Sequence, residues 1–346
     1  MDTALTSVLH RYGIRPGQVE PLEGGLINQT FKVWEDGQPA YILQRLNSEV
    51  FPQPEAMMDN MKVVLPHLKG PGYATVELMQ TSGGNSWVSD PELGFWRVFS
   101  YIPGTRTYPN SSDPAIAREA GRILGQFHLL LRDVPVEHLS TPLPGFHDLE
   151  KRFRELVEAE GQAAPDRKRE ASAWLELATS LTQACRDIPL KDFPLRICHN
   201  DPVMKNILFR EDRPEALCLI DLDTLMPGVL LWDFGDAVRS VVTVYPEDYR
   251  GEDPIVPDLE AYAAFTRGFM ESGVEITPSE QLWLHWGLVL MPLLHGIRAL
   301  ADFLAGDVYY QITYREQNLV RARNLLSLAE ASKARIKELR NLTQVR

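Results

Sequence analysis

Leu5, Val8, Leu9 and Tyr12 recur at three- and four-residue intervals before Gly13, the spacing of an amphipathic helix closed by glycine. The period then shortens. Apolar and polar residues alternate through 25–34 and 40–46, and Asp36-Gly37 between them predicts a hairpin turn. Pro54 followed by 55–68 restores a helical period, and two further strands are expected at 75–80 and 95–101, around the turn Ser82-Gly83-Gly84-Asn85. At Ile102-Pro103-Gly104 the character changes, and helical patterns dominate beyond it.

In that second region Asp113 is placed to cap a helix with Pro114 in its first turn. Its apolar face is Ile116, Ala120, Ile123, Leu124 and Phe127. Thr277-Pro278-Ser279-Glu280 is a capping box, expected to open a second long helix. Short strand-like runs at 195–198, 206–209 and 216–222 interrupt the helices. The pattern predicts an α+β chain of two lobes, a small β-rich one over residues 1–102 and a larger helical one over 103–346.

Composition narrows the classes. A length of 346 residues suits two lobes, and a net charge of −12 argues against bulk nucleic-acid binding. The tail 312–346 carries eight Lys and Arg against three Glu, but leucines interleave them, as in a helix packed on the large lobe. The apolar run 286–294 contains Pro292, stops at His295 and is too short to span a bilayer. No basic, then apolar, leader is visible at the N-terminus. Cys185, Cys198 and Cys218 have neither the number nor the spacing of a disulfide framework or a zinc site, so a reducing, cytoplasmic setting is expected.

The chemistry concentrates in Ile197-Cys198-His199-Asn200-Asp201-Pro202-Val203-Met204-Lys205-Asn206, followed by Leu219-Ile220-Asp221-Leu222-Asp223. Asn206 lies five residues after Asp201, and Asp221 fifteen after that, all among apolar strand residues. A carboxylate in such surroundings is costly unless it meets a cation or donors. Three oxygen-bearing side chains converging there would suit magnesium. One carboxylate can take a hydroxyl proton while the amide oxygen and the second carboxylate hold a metal on a nucleotide phosphate, the division of labour of kinases. Trp232-Asp233-Phe234-Gly235 spells another kinase metal motif, but Asp233 lies 32 residues after Asp201 whereas Asp221 lies 20 after it, at a strand end. Asp221 is therefore assigned to metal, Asp223 to a second metal or supporting position, and Asp233 to a structural cap for 235–241.

The segment resembles the catalytic loop of the aminoglycoside phosphotransferase and choline kinase superfamily, which has a protein-kinase-like fold. The resemblance implies ATP as co-substrate, Mg2+ as cofactor, Asp201 as catalytic base, and Asn206 with Asp221 as metal ligands. Leu22-Glu23-Gly24-Gly25-Leu26-Ile27-Asn28-Gln29-Thr30 resembles the family's phosphate loop, where Gly24 and Gly25 would let the backbone approach a phosphate. A plain hairpin turn accounts for the glycines equally well. The next strand should carry a lysine. Gln44 stands in register instead, with Arg45 beside it but on the opposite face of a regular strand, and Lys205 is the candidate for the missing cation. Glu55 is the expected helix partner, and Tyr101 is counted with the nucleotide-binding residues.

His295-Gly296-Ile297-Arg298, Asp302 and Tyr309-Tyr310 resemble the N-acetylhexosamine 1-kinases, which phosphorylate the anomeric hydroxyl. That likeness implies sugar contacts from Arg298 and Tyr309, and from the turn carrying Asn28 and Gln29. Leu26 and Gln29 replace a His and an Asp associated with sugar recognition, so a preference shifted from GlcNAc and GalNAc is expected. Arg298 and Asp302, four apart, could equally form an ion pair. The alternatives are a choline, homoserine, methylthioribose or aminoglycoside kinase, or a nucleotide-binding pseudokinase, given the missing lysine. Sulfatase chemistry is excluded, because no cysteine sits in a C-x-P-x-R setting.

Overall fold

A computed structural model describes residues 3–22 and 27–344; Gly24, Gly25 and Leu26 lie outside the described residues. The chain opens with helix α1 (Thr3–Arg11) and strands β1 (Gln18–Pro21), β2 (Gln29–Glu35) and β3 (Gln38–Arg45). Helix α2 (Pro54–Val64) and strands β4 (Val88–Asp90) and β5 (Gly94–Ser100) follow. The five strands form an antiparallel sheet in the order β1-β2-β3-β5-β4. Asp36 and Gly37 turn the β2–β3 hairpin with φ of 50° and 77°, the left-handed pair that matches strand twist.

Strand periodicity gives the sheet two different faces. Val33, Leu43, Trp96 and Val98 pack on Val8 and Leu9 of α1 and on Tyr12 just after it. Thr30, Gln44, Arg97 and Phe99 lie on the opposite face, toward α2 and the large lobe. The expected strand at 75–80 does not form. The outer edge of β5 is shared, its first half pairing with β4 and its second half bonding only to Glu77, Leu78 and Met79.

The large lobe runs β6 (Thr105–Arg106), α3 (Pro114–Leu131), α4 (Leu149–Gln162), α5 (Pro165–Cys185), β7 (Arg196–Cys198), β8 (Ile207–Arg210), β9 (Ala216–Leu219), β10 (Met226–Gly228) and α6 (Leu230–Arg239). It ends with α7 (Leu259–Glu271), α8 (Pro278–Trp283), α9 (Gly287–Ala305), α10 (Gln317–Ala334) and α11 (Ile336–Thr343). Asp113 caps α3 through the Ala115 N–H at 2.8 Å, and the face from Ile116 to Phe127 is buried. That helix crosses α7 closely enough that a Cβ on Gly268 would strike the Arg118 carbonyl. The Thr277–Glu280 capping box is complete, but it opens only the six-residue α8. The chain then tightens into a single turn at Leu284–Trp286, where Gly287 meets the backbone of Gly235, before α9 begins.

Pro292 lies inside α9. The apolar stretch Pro278–Ala305 has the length and hydropathy of a membrane span, yet most of it is buried within the protein. Its Leu293, Ile297, Leu300 and Phe303 form a core with Leu181 of α5 and Ala322, Leu326 and Ala329 of α10. The basic tail is thus held to the lobe by its apolar side. All three cysteines are buried and unpaired.

Candidate active site

The loop between β7 and β8 is held by buried groups behind it. Asp233 accepts the N–H of His199 (2.8 Å) and of Asn200 (2.7 Å), and His128 Nε2 lies 3.1 Å from its carboxylate. Its helix, α6, begins at Leu230 after Val229, so Asp233 sits within the first turn and reaches back to the loop rather than capping 235–241. Asn200 takes a left-handed φ of 62°, and its amide donates to the Thr224 carbonyl at 3.0 Å. Thr224 Oγ1 in turn donates to the His199 carbonyl at 2.6 Å. A loop fixed at both ends in this way holds the next residue, Asp201, in one place.

Asn206 donates its amide to the Asp201 carbonyl (2.9 Å) and to Asp201 Oδ2 (3.0 Å), which leaves Asn206 Oδ1 without a protein donor among the described residues. Asp221, at φ 62° and ψ 57°, presents a carboxylate that likewise meets no donor among the described residues. Burial pushes the Asp201 carboxyl up to about 7, with repulsion from Asp236 adding to it and Lys205 opposing. Enclosure and the adjacent Asp223 raise Asp221 as well, against Arg97 and Lys205. Two crowded carboxylates and an amide oxygen that meets no donor among the described residues are a hard-oxygen donor set. That chemistry fits magnesium, which binds one or two carboxylates and completes its shell with phosphate and water.

Behind Asp201, Asp236 is gripped by Arg239 Nε (2.5 Å) and His295 Nε2 (2.9 Å). Burial alone would raise its carboxyl, but these neighbours hold it well below the usual range, so it stays charged. A cavity of 260 Å³ borders Asp201 and Lys205 and reaches Arg239, Tyr245, Glu247 and Arg321.

On the small-lobe side, Gln44 is bound within the protein. Its Oε1 accepts from Arg97 Nε (2.9 Å) and an Arg97 terminal nitrogen (2.7 Å), while its Nε2 donates to Thr30 Oγ1 at 3.2 Å. Arg97 is fully buried and ion-paired with Asp223, which is 4 % exposed. Asn28 donates to the other Asp223 oxygen at 2.6 Å and accepts the Asn47 N–H at 3.1 Å. Both Asp223 oxygens are thus engaged. Arg45 and Gln29 pair with each other and share the sheet face of Trp96, away from Gln44. The Arg45 guanidinium lies 5.7 Å from the Trp96 ring. Glu55 is exposed in the first turn of α2 without an ion pair; the residues of α2 that face Arg97 are Met58 and Met61, with sulfurs at 3.9 and 3.6 Å. Tyr101 follows β5 and bonds through its backbone N–H to Ala40.

On the other side of Asp201, the Arg298 guanidinium lies 5.0 Å from the Phe146 ring and 5.8 Å from the Tyr309 ring. Asp201 is among the charges acting on it. Of the two readings open for Arg298 and Asp302, the ion pair does not form among the described residues. Asp302 instead accepts the N–H groups of Val308 (2.9 Å), Tyr309 (2.7 Å) and Tyr310 (3.0 Å), and the Asn318 amide at 2.9 Å. That carboxylate fixes the loop after α9 so that Tyr309, itself 52 % exposed, stands beside Arg298.

Residues 18–266 match the phosphotransferase enzyme family, APH. The chain belongs to that family. Its fold is shared with the microcompartment-associated aminopropanol kinase, at 17% identity and TM-score 0.67 over 97% of this chain and 98% of that one. An aminoglycoside phosphotransferase from Alicyclobacillus acidocaldarius subsp. acidocaldarius DSM 446 superposes at TM-score 0.66 with 14% identity, covering 98% and 96%. Amicoumacin kinase, solved in complex with AMP-PNP, Ca2+ and Ami, gives TM-score 0.59 and 16% identity over 92% of this chain and 89% of that one. The protein is a phosphotransferase with the protein-kinase-like architecture.

Within this phosphotransferase, Asp201, Lys205, Asn206 and Asp221 come together at one cleft, with Arg298 and Tyr309 on its far side; Arg45, Gln29 and Glu55 do not join them. Sequence reading missed Arg97. A signal was there, since Phe95-Trp96-Arg97-Val98-Phe99 puts one charge inside an apolar strand, which demands a buried partner.

Proposed function

We propose that this phosphotransferase moves the γ-phosphoryl group of ATP, with magnesium, to the anomeric hydroxyl of an N-acetylhexosamine or related sugar. The observation that carries the reading is the position of Asp201. Its carboxylate accepts the Asn206 amide at 3.0 Å, feels the charge of Asp221, and acts in turn on the Arg298 guanidinium, which stands beside two aromatic rings.

The acceptor hydroxyl gives its proton to the Asp201 carboxylate as its oxygen attacks the γ-phosphorus. The bond from that phosphorus to the β–γ bridging oxygen breaks, and ADP leaves. Burial makes the Asp201 carboxylate a stronger base than a free one, which suits it to accept the hydroxyl proton. Asn206 Oδ1 and the Asp221 carboxylate would hold magnesium, whose charge neutralises the triphosphate when it is bound. Lys205 adds a positive charge beside both carboxylates. Asp236, kept ionised by Arg239 and His295, repels the Asp201 charge and so favours proton uptake. Arg298 offers fixed N–H donors to sugar hydroxyls or an acyl carbonyl, and Tyr309 offers a ring and a hydroxyl. Asn28 is committed to Asp223, and with Leu26 in place of a polar residue the acceptor preference is relaxed from GlcNAc and GalNAc.

The test is a panel of sugars and amino alcohols assayed for magnesium-dependent ADP release, with phosphorus NMR of the product. A phosphomonoester on the anomeric oxygen is expected. Phosphate on a primary alcohol such as choline, with no sugar turned over, rejects the acceptor assignment and leaves the family's phosphotransfer standing.

A further inference from the structure

Gln44 occupies the strand position at which the phosphate-binding lysine is expected, and its neutrality leaves the small lobe short of one charge. We propose that Arg97 supplies it from the neighbouring strand: a positioning cation that ties β3 and α2 to the segment carrying Asp221. This deepens the magnesium-dependent phosphotransfer reading and rests on it.

The geometry leaves Arg97 few other uses. Its side chain has no exposed surface, so it does not meet solvent, and desolvating a guanidinium without a partner is costly. Every direction is filled. Two of its nitrogens face Gln44 Oε1, one of these also meets Asp223, and the remaining terminal nitrogen faces the Met58 and Met61 sulfurs. Those contacts span β3, α2 and the turn after β9, three elements that no single backbone ladder joins. The register explains the choice at 44. Gln44 pairs directly with Arg97 across β3 and β5, so a lysine there would set two cations on one face within hydrogen-bond reach. Met58 and Met61 follow from the same logic. With Asp223 as counter-ion, a carboxylate on α2 is not needed, and polarisable thioethers fill the space.

The consequence for the metal is specific. Asp223 gives one oxygen to Arg97 and the other to Asn28, so the metal is left to Asp221 and Asn206. Asp223 lies two residues from Asp221, whose left-handed backbone gives it a fixed direction. Anchoring Asp223 to the small lobe therefore sets where the Asp221 carboxylate stands relative to the phosphates. Arg97 acts through Asp223 and touches no reacting atom.

A charge swap tests this on the full chain, with wild type, Arg97→Met, Gln44→Lys and the double variant Gln44→Lys/Arg97→Met. Three quantities are read: melting temperature of the ligand-free protein, affinity for metal-free nucleotide, and the magnesium concentration giving half-maximal ADP release. Arg97→Met should raise that magnesium concentration by about 10- to 100-fold, the range for losing a group that orients a metal ligand, and leave metal-free nucleotide affinity unchanged. Gln44→Lys alone should lower the ligand-free melting temperature, because it adds a second buried cation. The double variant, in which the introduced ammonium takes over the pairing with Asp223, should melt above both single variants and bring the half-maximal magnesium concentration back down by about tenfold from that of Arg97→Met. An Arg97→Met enzyme with the wild-type magnesium requirement overturns the proposal, as does a double variant no better than the worse single. If Arg97→Met does not fold alone, Gln44→Lys and the double variant still decide through their melting temperatures. A wild-type protein that binds no nucleotide, with or without magnesium, fails the underlying reading instead and is recognised before any variant is compared.

Discussion

Arg97 and Arg298 are both withdrawn from bulk solvent at the edges of one cleft, yet their surroundings differ. Arg97 meets a carboxylate, an amide oxygen and two thioethers, and nothing remains to offer a ligand. Arg298 lies beside the rings of Phe146 and Tyr309 and pairs with no carboxylate among the described residues. Aromatic faces stabilise a guanidinium by about 0.5–2 kcal/mol and leave its in-plane N–H groups free. Arg97 is thereby tied to Asp223 between the small lobe and the segment after β9, whereas the Arg298 guanidinium, on which the Asp201 charge acts, keeps donors for a ligand, the role proposed for it above.

The largest expected effect comes from breaking the tie. Asp223→Ala strands Arg97 without a counter-ion and should cost about 3–5 kcal/mol in denaturant titration, whereas Arg298→Ala, which loses only ring contacts, should cost about 1 kcal/mol. Equal losses would erase the distinction. Next come the two carboxylates that a pattern search confuses. Asp233→Ala leaves the His199 and Asn200 N–H groups unsatisfied, at about 1–3 kcal/mol each, with little change in the magnesium requirement of the protein that still folds. Asp221→Ala should do the reverse, raising the magnesium requirement while stability holds, and magnesium titration of both variants separates them. Smaller still, Arg298→Ala should raise the acceptor KM by about 10- to 100-fold, the equivalent of one charged hydrogen bond, and leave the KM for ATP unchanged. An effect on ATP alone would move Arg298 out of the acceptor site.

The smallest effect concerns pH. Burial would raise the Glu280 carboxyl, but Arg196 at 2.7 Å and the Thr277 N–H at 2.8 Å outweigh it and hold it below its ordinary value. The unfolded chain therefore takes up that proton first as pH falls. The contribution is complete above the unfolded value of about 4.3 and is lost as pH drops through the folded one. Glu280→Gln should flatten the acid limb of the stability profile between about pH 5 and 3; an unchanged limb would show that Arg196 contributes nothing through this pair.

Local chemistry was legible in the chain. The five-residue step that brings Asn206 back onto Asp201 and the caps at Asp113 and Thr277 all depend on neighbours in sequence. What escaped depends on pairing across distance. Gln44 and Arg97 are 53 residues apart and meet only because β3 and β5 adopt one register. Strand alternation had already sent Arg45 to the face opposite Gln44, and the register adds Gln29 beside it on the α1 side. Spacing left an Arg298–Asp302 ion pair open beside a ligand role for the arginine, and only the fold decides, because a loop with three free N–H groups competes for a carboxylate better than a guanidinium already flanked by rings. Helix length was misjudged after Thr277, because a cap fixes where a helix starts and the Gly235–Gly287 approach lies beyond its reach.

The central claim is that Asp201 takes the acceptor proton in a phosphotransfer that Asn206 and Asp221 support. Asp201→Asn keeps the volume and polarity of the side chain and removes the base. Measured on one preparation, the rate of acceptor-dependent ADP release should fall by about 10²- to 10⁴-fold, while the affinity for magnesium nucleotide stays at the wild-type value. Turnover near wild type in that variant, with nucleotide bound normally, would contradict the account.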